Sequence, residues 1–241
     1  MSRNILIFGA TGAVGGALAR MVAARGERPV LVARDGARLA ALAAELGDVP
    51  YLPADVLADG TPAAALRAAG GGVAGLAFCV GSIVLKPLRR TTAADFLDAF
   101  RLNALAAALA VQACADALAQ ARGSVVLFST VAARAGFPNH AAIAAAKGAV
   151  EGLTVALAAE LAPHVRVNCI APSLTRGAMA APLLGNAQTA EAIAKQHPIP
   201  RLGEGEDGAA LAAFLLSDAA GWITGQVMAV DGGRSTVRRV G

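Results

Sequence analysis

Cysteine is scarce in this sequence. Its three residues, Cys79, Cys114 and Cys169, stand far apart, odd in number and in apolar surroundings. That excludes a disulfide framework or a cysteine-based metal centre and points to reduced core thiols in a cytoplasmic protein. Charge is thin as well. Charged residues make up 16% of the chain against 56% hydrophobic, a balance that excludes disorder. Neither sign dominates: 21 basic and 17 acidic residues leave a net charge of +4, too weak and too scattered to argue for nucleic acid. No apolar run of about 18 residues is free of Gly, Pro or charge breaks, so none suggests a membrane span. The N-terminal MSRNILIFGATG enters a strand pattern at once, without the apolar stretch and cleavage site of a signal peptide. The basic tail RSTVRRVG is expected to be a solvated end.

What is present is alternation. Short apolar runs at Ile5–Phe8, Pro29–Ala33, Pro50–Pro53, Gly75–Val80, Ser124–Ser129, Arg166–Ile170 and Val227–Val230 read as strands. Helical patterns lie between them at about 13–25, 36–46, 62–69, 92–121, 140–162 and 206–217. The apolar runs lack in–out alternation, which suits strands buried on both faces. Regular strand–helix alternation implies right-handed crossovers and a doubly wound parallel sheet, an α/β fold. No repeat or linker interrupts it, so residues 1–241 read as one domain. The irregular segment 172–204 would lie above the carboxyl ends of the strands, where a substrate lid belongs.

The run ILIFGATGAVGGALA joins a buried strand, a glycine turn and a helix start, with Gly9, Gly12 and Gly15 spaced three apart. Such a turn brings backbone close to a ligand and aims helix N–H groups at a pyrophosphate. The alternative is a structural strand–helix turn without a ligand. At the tip of the second strand, Ala33 stands where an acidic residue would hold a ribose hydroxyl, and Arg34 follows. An arginine there suits a 2′-phosphate, so NADP(H) is expected over NAD(H). Asp35, one residue on, is expected to point away. In PADV, Asp55 falls beside the adenine region, with Val56 after it; an aspartate there could equally cap the next helix.

With these residues on view, the chain resembles the short-chain dehydrogenase/reductase family from end to end. The segments that carry the resemblance are the N-terminal turn, the helix around Asn103, SVVLFST, AAAKGAVEGLTVALAAEL, VRVNCIAPS and WITGQVMAVDGG, in the family's order. The resemblance implies a single Rossmann-type sheet of about seven strands, an oxidoreductase activity and a homotetramer or homodimer. It implies a cofactor cradle of Gly9, Thr11, Gly12, Val14 and Gly15, completed by Gly81 and by Pro172, Ser173 and Thr175 around the nicotinamide. It implies Lys147 on the nicotinamide ribose, Asn103 holding a relay water and Thr130 bonding the substrate carbonyl. The chain also departs from the pattern. Ala13 stands at the usual middle glycine, the strand-four signature is reduced to FCVG, Ser173 replaces a glycine, and Ile143 stands where the family has its proton-donating tyrosine.

Three readings of Ile143 stay open. Losing a general acid typically costs about 10²–10⁴ in rate rather than all activity. His140, seven residues before Lys147, could share a helix face with it and donate near neutral pH. A substrate that needs no strong acid, such as a protonated imine or activated alkene, could be finished by a water on Asn103 and Lys147. The third reading is an NADP(H)-binding regulatory or structural subunit without turnover. For substrate, KPLRR at 86–90, Arg134 and Arg176 could attract an anionic or phosphopantetheine-bearing molecule, or be ordinary solvated charges. The alanine-rich helices at 92–121 and 140–162 would permit close packing against a second copy. No metal is expected.

Overall fold

The computed structural model describes residues 3–238. The expected tail position extends beyond this range, and its last three residues lie outside the described ones. The seven strands are β1 Asn4–Phe8, β2 Arg28–Ala33, β3 Tyr51–Pro53, β4 Gly75–Phe78, β5 Ser124–Phe128, β6 Arg166–Pro172 and β7 Val227–Val230. They form one parallel sheet in the order β3-β2-β1-β4-β5-β6-β7. The chain reverses direction across the sheet between β1 and β4, and crevices at such switch points hold ligands. The seven-stranded doubly wound α/β sheet expected from the sequence is the one observed.

Successive strand residues supply opposite layers. Leu6 and Phe8 pack on one face with Ala65, Ala107, Val111 and Val150, while Ile5 and Ile7 pack on the other with Leu18, Leu39 and Leu215. The first layer carries α3 (Thr61–Ala68), α4 (Ala93–Phe100), α5 (Ala106–Gln120) and α7 (Ala141–Leu161). The second carries α1 (Ala13–Ala24), α2 (Gly36–Glu45) and α10 (Gly205–Leu216). Strands buried on both sides therefore need continuous apolar runs, as this sequence has.

The structure alters several boundaries. β4 stops at Phe78, before the predicted Val80, and β6 runs on to Pro172. The predicted helix 92–121 is broken by a π turn at Arg101–Leu105 between α4 and α5. Segments Ala93–Gln120 and Ala141–Leu161 are long and apolar enough to cross a membrane by length and composition, contrary to the reading of the sequence. Both bury alanine-rich faces on the sheet, and α7 carries the buried Lys147, which explains the composition by packing. Between β6 and α10 lie two short helices, α8 (Ala181–Leu184) and α9 (Ala187–Ala194), with the segment's ends bridged at Thr175 and Gly203. The remaining short helix, α6 (Ala132–Ala135), follows β5.

Candidate functional site

The glycine turn forms where β1 hands over to α1. Gly9 has φ +78°, and a Cβ on it would lie 2.9 Å from the Cys79 carbonyl, so the turn presses against the end of β4. A Cβ on Gly15 would overlap the carbonyl oxygen of Gly9. Gly12 is the N-cap of α1 in extended conformation, and no side chain caps the helix. The first-turn N–H groups of α1 are thus left to a ligand or solvent, with the positive end of the helix dipole behind them. This is the donor set a pyrophosphate requires. Thr11 is half-buried beside the exposed Gly12, and half-buried Val14 packs against Gly208 of α10.

At the β2 tip, Arg34 is exposed. Asp35 turns away as expected: its carboxylate accepts from the Arg38 amide at 3.0 Å and caps α2. The sequence reading missed Arg38, whose guanidinium donates to the Thr11 carbonyl at 2.8 Å. Its position four residues after Arg34 was the available signal. Asp55 caps no helix. Its Oδ1 accepts from the Leu57 amide at 2.9 Å in a tight turn, while the N-cap of α3 is Gly60. Val56, half-buried, packs against the first core layer.

A second cluster lies at the carboxyl ends of β4 and β5. Lys147 is 6% exposed, and its ammonium donates to the Phe128 carbonyl at 2.7 Å. Burial holds its pKa down to about 8 from 10.5. The Cys79 and Cys169 thiols near it are pushed up to about 12 by burial and supply no negative charge. Asn103 sits in the π turn, 1% exposed; its Nδ2 donates to Ala99 O at 2.9 Å and Ser82 Oγ at 3.1 Å. Gly81 closes the group: a Cβ there would lie 3.0 Å from Asn103 Oδ1 and 3.2 Å from Lys147 Nζ. Strand β4, the π turn and α7 thus bring Gly81, Asn103 and Lys147 together.

Ile143, one turn before Lys147, is 4% exposed and has no proton to give. The chain's single tyrosine, Tyr51, is on the edge strand β3 and cannot replace it. Thr130 follows β5, its hydroxyl 3.4 Å from the Pro172 carbonyl and 3.3 Å from the Ala132 amide. His140 corrects the helix-face expectation. α7 begins at Ala141, and His140 is its N-cap with ψ 9°, so the shared helical face stops one residue short. Its Nδ1 lies 2.7 Å from the Pro138 carbonyl and its ring rests against Phe137. That contact assigns the proton to Nδ1 and leaves Nε2 to solvent or a ligand.

Past β6, Ser173 bonds the buried His197, Oγ to Nε2 at 2.8 Å. His197 Nδ1 lies 3.0 Å from the Ile193 carbonyl, so Nδ1 carries the hydrogen and Ser173 donates. Thr175 Oγ1 donates to the Ser173 carbonyl at 3.1 Å. A cavity of about 350 Å³ opens beside Ser173, His197 and Asp231, but none of its walls belongs to the Lys147 cluster. Three of the cations expected to steer an anion are taken by neighbours, Lys86 by Asp95 at 2.7 Å, Arg134 by Glu151 at 2.6 Å and Arg176 by Glu204 at 3.1 Å, while Arg89 and Arg90 are exposed.

The family model for enoyl-(acyl carrier protein) reductase matches residues 9–235. The inactive 2-(S)-hydroxypropyl-CoM dehydrogenase 2 of Xanthobacter autotrophicus is 35% identical over 230 residues, spanning 91% of this chain and 100% of that protein. The L-xylulose reductase of Bos taurus is 32% identical over 237 residues, 96% of each chain. A short-chain type dehydrogenase/reductase from Mycobacterium ulcerans superposes with a TM-score of 0.90 at 31% identity, covering 99% of this chain and 92% of that one.

Proposed function

We propose that this chain, which belongs to the short-chain dehydrogenase/reductase family, is an NADP(H)-dependent oxidoreductase acting on a small carbonyl, imine or activated alkene with a proton donor other than tyrosine. The observation that carries the reading is the buried Lys147 ammonium beside Asn103 and Gly81, with no carboxylate in ion-pair distance among the described residues. A buried unpaired cation is costly, and such perturbed groups cluster at functional sites.

The bound nicotinamide would supply or accept the hydride. Gly9, Thr11, Gly12, Val14 and Gly15 would hold the pyrophosphate against the open end of α1. Arg34, joined by Arg38, would read the 2′-phosphate, with Asp55 and Val56 beside the adenine. Gly81, Pro172, Ser173 and Thr175 would frame the nicotinamide. Lys147, charged below about pH 8, would hold ribose hydroxyls and draw negative charge toward the site. Thr130 would orient the substrate, and Asn103 a water. The proton would come from His140 Nε2 or from that water.

A second reading is an NADP(H)-binding subunit without turnover. The buried Ile143 and the resemblance to a relative named inactive favour it. Under either reading, exposed Leu97, Phe100, Leu105, Leu109 and Val155 on the α4, α5 and α7 side support self-association as a homotetramer or homodimer. Reduced core thiols support a cytoplasmic location.

The test is a fluorescence titration with NADPH and NADH. NADPH should bind selectively, and R34A should weaken NADPH by at least ~10-fold while leaving NADH little changed. Failure of both cofactors to bind would remove both readings. NADPH oxidation with a panel of ketones, enones and imines separates them: binding without any oxidation selects the second.

A further inference from the structure

Of the cations that the sequence placed at the carboxyl edge, Lys86, Arg134 and Arg176 pair with carboxylates and Arg89 and Arg90 stand exposed, but a half-buried one that it did not single out is held differently. Arg234, four residues past β7, is half-buried, and among the described residues no carboxylate lies within ion-pair distance of it. Its hydrogen bonds go to neutral acceptors: Gln196 Oε1 at 2.6 Å and, at 3.5 Å, Ser173 Oγ. Its guanidinium carbon stands 4.6 Å from the centroid of the Phe137 ring. The nearest acid, Asp231, is occupied by the Gly233 and Ser235 amides and the Ser235 hydroxyl.

Three elements therefore fix one positive charge in place. Phe137 belongs to the loop before α7, and its ring also touches His140. Ser173 follows β6, and Gln196 follows α9. These loops border the carboxyl edge that carries Thr130 and Lys147. A stacked guanidinium keeps its planar fork oriented, which matches a planar carboxylate better than a point charge would. A single guanidinium balances a monoanion, whereas a phosphate dianion would call for a second cation beside it.

We propose that Arg234 anchors a carboxylate on the substrate, so that the oxidoreductase site takes a small oxo acid or its hydroxy acid counterpart. Arg234 touches the tail of the substrate and sets specificity; the reacting carbon stays with Thr130 and Lys147. The proposal rests on the oxidoreductase reading for the place of the reaction, but carboxylate binding is measurable without turnover.

The experiment is calorimetric titration of the full chain with 4-oxopentanoate and with its uncharged isostere 4-oxopentanamide, with and without saturating NADPH. The acid should bind at least ~10-fold more tightly than the amide, and its affinity should fall as salt is raised. R234Q should bring the acid down to the level of the amide and leave the amide unchanged; R234K should keep part of the preference. Equal affinity for acid and amide in the wild type, binding of neither, or a preference that survives in folded R234Q would overturn the proposal. If R234Q does not fold, the wild-type acid–amide comparison and R234K decide. A carboxylate preference in a chain that binds no NADPH would retain the anchor and sink the oxidoreductase reading. NADPH binding without a carboxylate preference would do the reverse.

Discussion

Replacing Lys147 with methionine should stabilise the protein at neutral pH while disabling the site. The folded chain holds the ammonium at 6% exposure, with the Phe128 carbonyl 2.7 Å away and, among the described residues, no carboxylate in ion-pair distance. Its pKa is about 8 in the fold against 10.5 for an ordinary lysine. At about 1.36 kcal/mol per pKa unit, the folded state carries a penalty of about 3 kcal/mol whenever the lysine is charged. Between pH 8 and 10.5 the unfolded chain binds the proton and the folded chain releases it, so stability rises with pH across that window and is lowest below it. Methionine has a similar length and no charge. It escapes the penalty but leaves the Phe128 carbonyl without its donor, at a cost of about 1 kcal/mol. The net gain at pH 6.5 is about 2 kcal/mol, or about 4–8 °C in Tm for a chain of this size. The advantage should vanish by about pH 10. Thermal melts of both proteins at pH 6.5 and pH 10 read this directly. A Tm difference that is the same at both pH values, or a variant less stable at pH 6.5, would refute the claim that the buried charge is uncompensated.

Other perturbations follow from the same geometry. G15A places a Cβ on the Gly9 carbonyl oxygen and should displace the turn, abolishing NADPH binding in a titration while circular dichroism keeps its helix signal. I143Y adds bulk at a position 4% exposed and should cost about 1–3 kcal/mol in a denaturant melt; gained turnover on simple ketones would show that the rest of the site is competent. H140A should lower turnover by about 10²-fold or more if His140 Nε2 donates the proton; unchanged turnover leaves the Asn103 water as donor.

The sheet was legible because strands buried on both faces must be written as continuous apolar runs, which β1, β2 and β5 are. Their ends were less legible. β4 stops at Phe78, where the backbone of Cys79 and Val80 comes up against Gly9, a contact between segments distant in sequence. The glycine turn could be read from its place between a strand and a helix, whereas Lys147 and Asn103 were legible only through the family resemblance. His140 was misplaced by one residue, because no residue type at 140 or 141 fixes the start of α7. Neither Ser173 on His197 nor Arg234 on Phe137 could be read, since each pair meets only through the folding of separate loops. The pairing of Arg134 with Glu151 was hidden for the same reason.

The π turn at Arg101–Leu105 makes the placement of Asn103 separable from the fold around it. A π turn is one extra residue accommodated within an otherwise regular helix. Deleting a single residue there would let α4 run straight into α5, with Ala107, Ala110 and Val111 still facing the sheet. What would be lost is the bulge that turns Asn103 toward Gly81 and Lys147. One codon gained or lost there can therefore move Asn103 relative to Gly81 and Lys147 while the surrounding architecture persists.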